Sequence, residues 1–417
     1  MPERTYRHIV LAYSGGLDTS TALHYLKATF RCRVTAYCAN VGQREDWPRL
    51  RERALAAGAD EFVAEDLRDH FIRDFVFPAL HGNAAYETNY LLGTPLARPV
   101  IVEGLIRYAQ SVGADAISHG CTHKGNDQIR FELAATALDP DIGIVAPWRI
   151  WALRSREDCL AYCERNGVPV IHSKTDLFSH DENLIHLTTE GSYLEDIANP
   201  FEWNDAGWLT SPELAPEHGV RVTVSFERGD PVAVDGTPLE PVDLVLRLNA
   251  LGAAHGIGLQ DIIENRVNGL KVRGVFENPG LHILQTAHRR LENATLSREV
   301  QRVRDILVPV YGEIVYRGLW FSDERRVIQA AFDESQRFVT GHVLLSLQRG
   351  TCIAQAVASE ASLYARDLVT LHEGREFSPA HAEGFVRTLA MNYRDEARRS
   401  AKPPGATPIP AAWSAER

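Results

Sequence analysis

The sequence predicts an α/β chain: a doubly wound parallel sheet, then a second α+β domain, then a C-terminal helical arm. Three observations carry this. Short apolar runs alternate with helical patterns over the first 150 residues. A glycine loop, AYSGGLDTS, sits at the first strand-to-helix junction. From about residue 170 the alternation stops and hairpin patterns replace it.

In chain order, strands are expected at HIVLAY, RVTAYCA, EFVAED, DAISHG and IGIVAP. Helices are expected between them at TSTALHYLKATF, DWPRLRERALAAG, LRDHFIRDFVFPALH, PLARPVIVEGLIRYAQSVG and DQIRFELAATAL. Strands alternating with helices give βαβ units and a sheet covered on both faces. Such sheets bind ligands outside the carboxyl ends of their strands. Further on, RVTVSFERGDPVAVDG reads as a hairpin with a Gly-Asp turn and PVDLVLRLNALGAAHG as a helix. DIIENRVNGLKVRGVFE reads as two strands around a polar turn, and HVLLSLQRGTCIAQAVA as another hairpin. SPAHAEGFVRTLAMNYRDEARRSA is helical and precedes a Pro- and Ala-rich tail. The expected domains are 1–170, 171–375 and 376–417.

The 417 residues carry a net charge of −11. That excludes a general nucleic-acid binder, which shows a basic face. No run of about 18 apolar residues occurs, so no membrane helix is expected. MPERTYRHIVLAYS does not read as a signal peptide. The cysteines, Cys32, Cys38, Cys121, Cys159, Cys163 and Cys352, show no CxxC pair and read as free thiols in a reducing cytoplasm. Cys159 and Cys163 lie four apart on a helix, which favours core packing over metal binding. Lysine is rare, so Lys124 and Lys271, both inside motifs, stand out.

In the opening loop, Gly15 and Gly16 permit positive φ and close approach of an anion. Ser14, Thr19 and Ser20 add hydroxyls. The helix starting near Asp18 turns its N–H groups and positive dipole end toward the loop. This is a phosphate nest without a lysine. Asp18, an acid in an anion site, implies a Mg2+ ion between carboxylate and phosphate. The second constellation is SHGCTHKGNDQIRFE, after the fourth strand. It offers Thr122, Lys124, Asn126 and Asp127, with Arg130 one helical turn beyond. Such a loop suits a zwitterion held beside a nucleotide.

AYSGGLDTS resembles the SGGxDS loop of the N-type ATP pyrophosphatases. With YCANVGQ, NYLLGTPLARP, SHGCTHKGNDQIRFE, IVAPWR, FSHDENL, DIIENRVNGLKVRG and SLYARDL, residues 8–395 resemble the argininosuccinate synthase family. The resemblance implies an ATP-dependent ligase joining L-aspartate to L-citrulline through an adenylated ureido intermediate, and a homotetramer. It places ATP at Ala12, Tyr13, Ser14, Gly15, Gly16, Leu17, Asp18, Thr19, Ser20, Ala39 and Gly120. Aspartate falls to Thr122, Asn126 and Asp127. Citrulline falls to Tyr90, Pro95, Asn126, Arg130, Ser179, Thr188, Glu264 and Phe276. Asp127 and Asp18 are the catalytic candidates, Asp127 as proton acceptor or orienting group.

Some positions depart from the family. His123 replaces a glycine, Pro95 stands where some members carry serine, Leu259 replaces an arginine and Phe276 a tyrosine. These changes leave room for a paralogue acting on another ureido or amide acceptor. A non-catalytic nucleotide-binding regulator is the rival of another class, but it has no reason to keep Asn126, Asp127, Arg130 and Glu264. A tRNA-modifying pyrophosphatase would need a basic face and reactive cysteines, and an amidotransferase would need a glutaminase domain.

Overall fold

The computed structural model describes residues 5–87, 89–122, 125–169, 178–370, 378–401, 405 and 410. His123, Lys124, Lys174 and most of the tail after Ala401 lie outside them. Met1–Leu363 form one compact unit and Tyr364–Arg417 a second. The expected boundary near residue 170 therefore separates two regions inside one compact unit.

The N-terminal region follows the expected alternation. It runs β1 (His8–Ala12), α1 (Leu17–Phe30), β2 (Arg33–Asn40), α2 (Trp47–Ala56), β3 (Glu61–Asp66), α3 (Gly93–Ser111), β4 (Ala116–His119), α4 (Asp127–Leu138), β5 (Gly143–Val145) and α5 (Arg156–Asn166). The strands form one parallel sheet in the order β3-β2-β1-β4-β5. Along β1, Ile9 and Leu11 join the core on one face and Val10 joins the core on the other, the period of two of a doubly covered strand. Helix starts follow local chemistry: Asp46 accepts from the Arg49 N–H ahead of α2, and Ser155 and Asp158 form a capping box on α5. Cys159 and Cys163 of α5 are fully buried, and Cys163 lies 3.1 Å from the Thr21 hydroxyl.

One expected helix is broken. LRDHFIRDFVFPALH forms Arg68–Phe71, a wider turn over Ile72–Val76, and Phe77–His81. Pro78 has no N–H to give to the ladder. Just ahead of it the Phe77 N–H reaches back five residues to the Ile72 carbonyl.

The rest of the first unit is α+β. It contains β6 (Phe178–Asn183), β7 (His186–Gly191), β8 (Val220–Glu227), β9 (Asp230–Val234), β10 (Thr237–Pro238), α6 (Pro241–Ala254), β11 (Leu259–Asn265), β12 (Lys271–Glu277), α7 (Pro279–Thr295), α8 (Arg298–Tyr316), α9 (Asp323–Ser335), β13 (Gly341–Gln348) and β14 (Thr351–Ala358). Two antiparallel sheets result, β11-β12-β7-β6 and β10-β9-β8-β13-β14. The β8–β9 turn is Arg228-Gly229, both at positive φ, not the expected Gly-Asp pair. A two-residue hairpin turn that matches strand twist needs positive φ at both central residues. Asp230 instead starts β9. The sequence reading assigns no element to the β6–β7 hairpin or to α7, α8 and α9. The second unit holds α10 (Pro379–Ser400), with Phe385, Leu389 and Tyr393 spaced four apart along it.

Candidate active site

The loops after β1 and β4, neighbours in the sheet, open into a cleft of about 540 Å³. Its far wall is the β11-β12-β7-β6 sheet. Ala12, Tyr13, Ser14, Asp18 and Thr19 line one end. Gly15 has φ +74°, and a Cβ there would run into Leu50. Gly16 opens α1 with extended backbone and no side-chain cap, leaving the helix's first N–H groups without that partner. Ser14 Oγ lies 3.2 Å from Thr19 Oγ1. Ala39 and Gly120 line the same region. Four expected ligand residues have side chains or positions off the cleft wall: Gly15, Gly16, Leu17 and Ser20. Leu17 packs in the core, and the buried Ser20 hydroxyl lies 3.2 Å from Tyr13 Oη. Any phosphate contact at Gly15, Gly16 and Leu17 falls to backbone N–H groups, while the Ser20 N–H is spent on the Gly16 carbonyl at 3.0 Å.

Behind the loop stands a cation that the motif alone does not reveal. Arg53 Nη1 donates to the Gly15 carbonyl at 3.0 Å, and Arg53 Nη2 lies 3.5 Å from Glu45.

The middle of the cleft is a charged lattice. Arg98, on α3, donates to Asp127 at 2.8 Å and to Asp181 at 2.7 Å. Arg130 donates to the other Asp127 oxygen at 2.9 Å. Burial alone would raise the Asp127 carboxyl, but the two guanidiniums outweigh it and hold it well below the usual carboxylate range. A carboxylate so stabilised is a poor proton acceptor. Of the two roles expected for Asp127, the geometry therefore supports orienting. Thr94 donates to Asp181 and lies 3.0 Å from His186 Nε2. Burial holds His186 down at about 4, so its ring is neutral.

The far wall follows from strand register. Ser179 pairs with Glu190 and Asp181 with Thr188, which puts all four on one face of the β6–β7 hairpin. Phe276 pairs with Thr188 and packs its ring 4.4 Å from that of Tyr90. A Cβ on Gly274 would come within 2.8 Å of Phe276 Cζ, so the glycine makes room for the ring tip. Glu190 faces Arg266 at 3.6 Å, and burial, opposed by Arg266, lifts its carboxyl to about 7. Glu264 accepts from Tyr316 Oη at 2.9 Å through Oε1. Its Oε2 is buried and has no hydrogen-bond partner among the described residues. Burial raises this carboxyl too.

Thr122, Asn126, Asp127, Arg130, Tyr90, Ser179, Thr188, Glu264 and Phe276 thus all line the cleft as expected. Pro95 does not: it is buried as the third residue of α3, and its neighbour Thr94 reaches the cleft instead. Leu259 is also absent from the wall. It starts β11 opposite Glu277, whose carboxylate accepts from Gly207, Trp208 and Leu209. Lys271 bonds Asn265 Oδ1, and Arg273 pairs with Asp261, both away from the cleft. Of Pro95, Leu259 and Phe276, Phe276 alone stands at the site.

Sequence reading missed Arg98, Asp181, Glu190 and Tyr316. Alternation along FSHDENLIHLTTEG could have found Asp181 and Glu190, which sit two residues beyond Ser179 and Thr188. Arg98 falls four residues after Thr94 on the same helix face. Tyr316 carries no local signal.

A parallel sheet with a glycine loop at its β1/β4 crevice and a helix start aimed across it defines an α/β protein of the nucleotide-binding class. Comparison with known proteins narrows this. Residues 8–169 match the family described as "Arginosuccinate synthase N-terminal HUP domain", and residues 178–395 match "Arginosuccinate synthase C-terminal domain". An argininosuccinate synthase of Burkholderia pseudomallei is 62% identical over 94% of this chain and 98% of its own length. Relatives of the same name from Desulfatibacillum aliphaticivorans and Maricaulis maris are each 46% identical, covering 93% and 95% of this chain and 97% of their own lengths. The chain belongs to the argininosuccinate synthase family.

Proposed function

We propose that the protein joins L-aspartate to L-citrulline at the expense of ATP, giving argininosuccinate, AMP and pyrophosphate. The observation that carries the acceptor half is Glu264 Oε2, a buried carboxylate oxygen of a cleft-lining residue, with no hydrogen-bond partner among the described residues. A buried lone charge is costly unless a cation meets it. The α-ammonium group of citrulline supplies one. Among the described residues of the cleft, carboxylates outnumber guanidiniums, which suits two amino acids and a divalent cation.

In this reading the ureido oxygen of citrulline attacks the α-phosphorus of ATP, and pyrophosphate departs toward Ser14–Thr19. The aspartate amine then attacks the ureido carbon and AMP leaves. Loop N–H groups and hydroxyls stabilise the leaving charge, and the Arg98–Asp127–Arg130 lattice orients the aspartate. Asp18 suits Mg2+, which takes one or two carboxylates beside phosphate oxygens and water. When bound, the ion would neutralise charge on the phosphates. The helix α10 is read as an intersubunit arm of a homotetramer acting in the cytoplasm.

Among the described residues no helix is long and apolar enough to cross a membrane. The test is pyrophosphate release with ATP and Mg2+, adding aspartate and citrulline singly and together. Release that requires both supports the reading. Turnover with another carbonyl acceptor but not citrulline overturns the acceptor and keeps the chemistry.

A further inference from the structure

Tyr316, the last residue of α8, is fully buried and does not line the cleft. Its hydroxyl nevertheless touches two residues that do. Asn126 Nδ2 donates to Tyr316 Oη at 2.8 Å, and Tyr316 Oη donates to Glu264 Oε1 at 2.9 Å. The one phenol proton and lone pair are thus both committed, in a fixed direction.

The ring that carries this hydroxyl is held on every side. Tyr86 stacks on it with centroids 3.6 Å apart and planes 6° apart, and Tyr90 meets it edge-on at 6.2 Å. The Arg130 guanidinium lies over it at 4.9 Å, while Arg130 Nε donates to the Tyr316 carbonyl at 2.9 Å. That last bond also satisfies a carbonyl at the α8 terminus. Gly318, at φ +84°, lets the chain pass Arg130, where a Cβ would sit 2.6 Å from Arg130 Cα. A phenylalanine would fill the same space. The buried hydroxyl costs desolvation that packing alone does not require.

The consequences reach the cleft. Asn126 Oδ1 accepts from the Val267 N–H at 3.1 Å and its Nδ2 is turned to Tyr316, so the amide cannot flip. One Nδ2 hydrogen remains for a ligand. Glu264 is anchored through Oε1, and its buried Oε2 has no hydrogen-bond partner among the described residues.

We propose that the Tyr316 hydroxyl is a positioning group that sets Asn126 and Glu264 in register, so that the aspartate and citrulline sites are built from one hydrogen-bonded unit. The proposal rests on the assignment of those residues to the two amino acids made above.

The test is steady-state kinetics of Tyr316→Phe, with pyrophosphate release as readout. Loss of one charge-assisted and one neutral hydrogen bond predicts citrulline KM up about 10-fold and aspartate KM up about 3- to 10-fold. ATP KM stays within about 2-fold, because the phosphate loop is untouched. In a Glu264→Gln background the same substitution should raise citrulline KM less than about 3-fold, the non-additivity of groups acting through one contact. That double variant also removes the buried charge that would threaten folding of Tyr316→Phe alone. Unchanged amino-acid KM values, equal rises for all three substrates, or full additivity with Glu264→Gln overturn the proposal. A wild-type enzyme with no requirement for citrulline and aspartate overturns the functional reading first, and this inference with it.

Discussion

Replacing Glu264 by glutamine separates what the carboxylate does for the ligand from what it does to the fold. Glutamine keeps the size and one oxygen but removes the charge. In the structure Oε1 is bonded to Tyr316, and Oε2 is buried without a hydrogen-bond partner among the described residues. A hydrogen bond between charged groups contributes roughly 1.5–3 kcal/mol. At about 1.4 kcal/mol per factor of ten, citrulline affinity should fall about 10- to 150-fold. The retained carbonyl oxygen favours the lower end. The fold should not suffer. Burial raises the Glu264 carboxyl above its ordinary value, so the native state holds the proton more tightly than the unfolded chain. For such a group, the native-state penalty is absent below the unfolded value and grows as pH rises to the folded one. Above both, Glu264→Gln removes a lone buried charge, so its Tm at pH 8 should equal or exceed the wild type's. The assay is citrulline KM by pyrophosphate release, with thermal unfolding of the ligand-free protein in parallel. A citrulline KM within 3-fold of wild type, or an equal rise in ATP KM, would refute the reasoning. So would a large drop in Tm, which would mark Glu264 as structural.

Further predictions rest on other residues. The Glu190 carboxyl, lifted to about 7 by burial, should give kcat/KM for citrulline an ionisation near that pH, and Glu190→Gln should abolish it in a pH–rate profile. Arg53→Gln should raise ATP KM about 10-fold with citrulline KM unchanged, since it frees the Gly15 carbonyl from the guanidinium that donates to it at 3.0 Å. His81 is pushed down by burial but raised overall to about 9 by Asp230 and Asp333. Its stabilisation is complete below about 6.5 and lost as pH rises through 9, so wild-type Tm should fall over that window more than that of His81→Gln. Phe276→Tyr would set a hydroxyl beyond Cζ, toward Gly274 and Glu190. Citrulline KM should fall if that hydroxyl finds a partner and stay unchanged if the cleft is complete without it.

The parallel sheet was legible because its signals are local. Apolar runs of strand length, helix caps and the glycine loop each act within a few residues, and β1 to β5 fall where the runs do. Residues of the far wall became legible only through the family motifs. Their neighbours did not, because a strand shows one face to the cleft and a hairpin doubles that face: Ser179 and Thr188 were seen, while Asp181 and Glu190 needed the register. Pro95 and Leu259 mark the opposite error. Both lie in motifs that reach the site, yet rotation on α3 and position at the start of β11 take them off the wall. Tyr316 lies 190 residues from Asn126 in sequence, and no local pattern predicts such a contact.

The lysine-free loop gains its sense from what stands behind it. A peptide unit is planar and trans, so the carbonyl of one residue and the N–H of the next point in opposite directions. Arg53 binds the Gly15 carbonyl and does not line the cleft. The Gly16 N–H is thereby turned away from Arg53. Gly15 at positive φ is what lets the chain make this turn. The cation acts on the backbone from outside, and the backbone presents donors inside. A lysine reaching into the nest would add a point charge but would also occupy the space that the proposed reaction assigns to the leaving pyrophosphate. Arg53 avoids that, because its guanidinium is spent on Gly15 and Glu45. In the proposed reaction the leaving pyrophosphate is then held by hydroxyls and N–H groups, which let go more readily than a buried ammonium. The amino-acid side is built differently: Asp127 and Asp181 are fixed by the Arg98 guanidinium, and the buried Glu264 carboxylate is fixed by the Tyr316 hydroxyl.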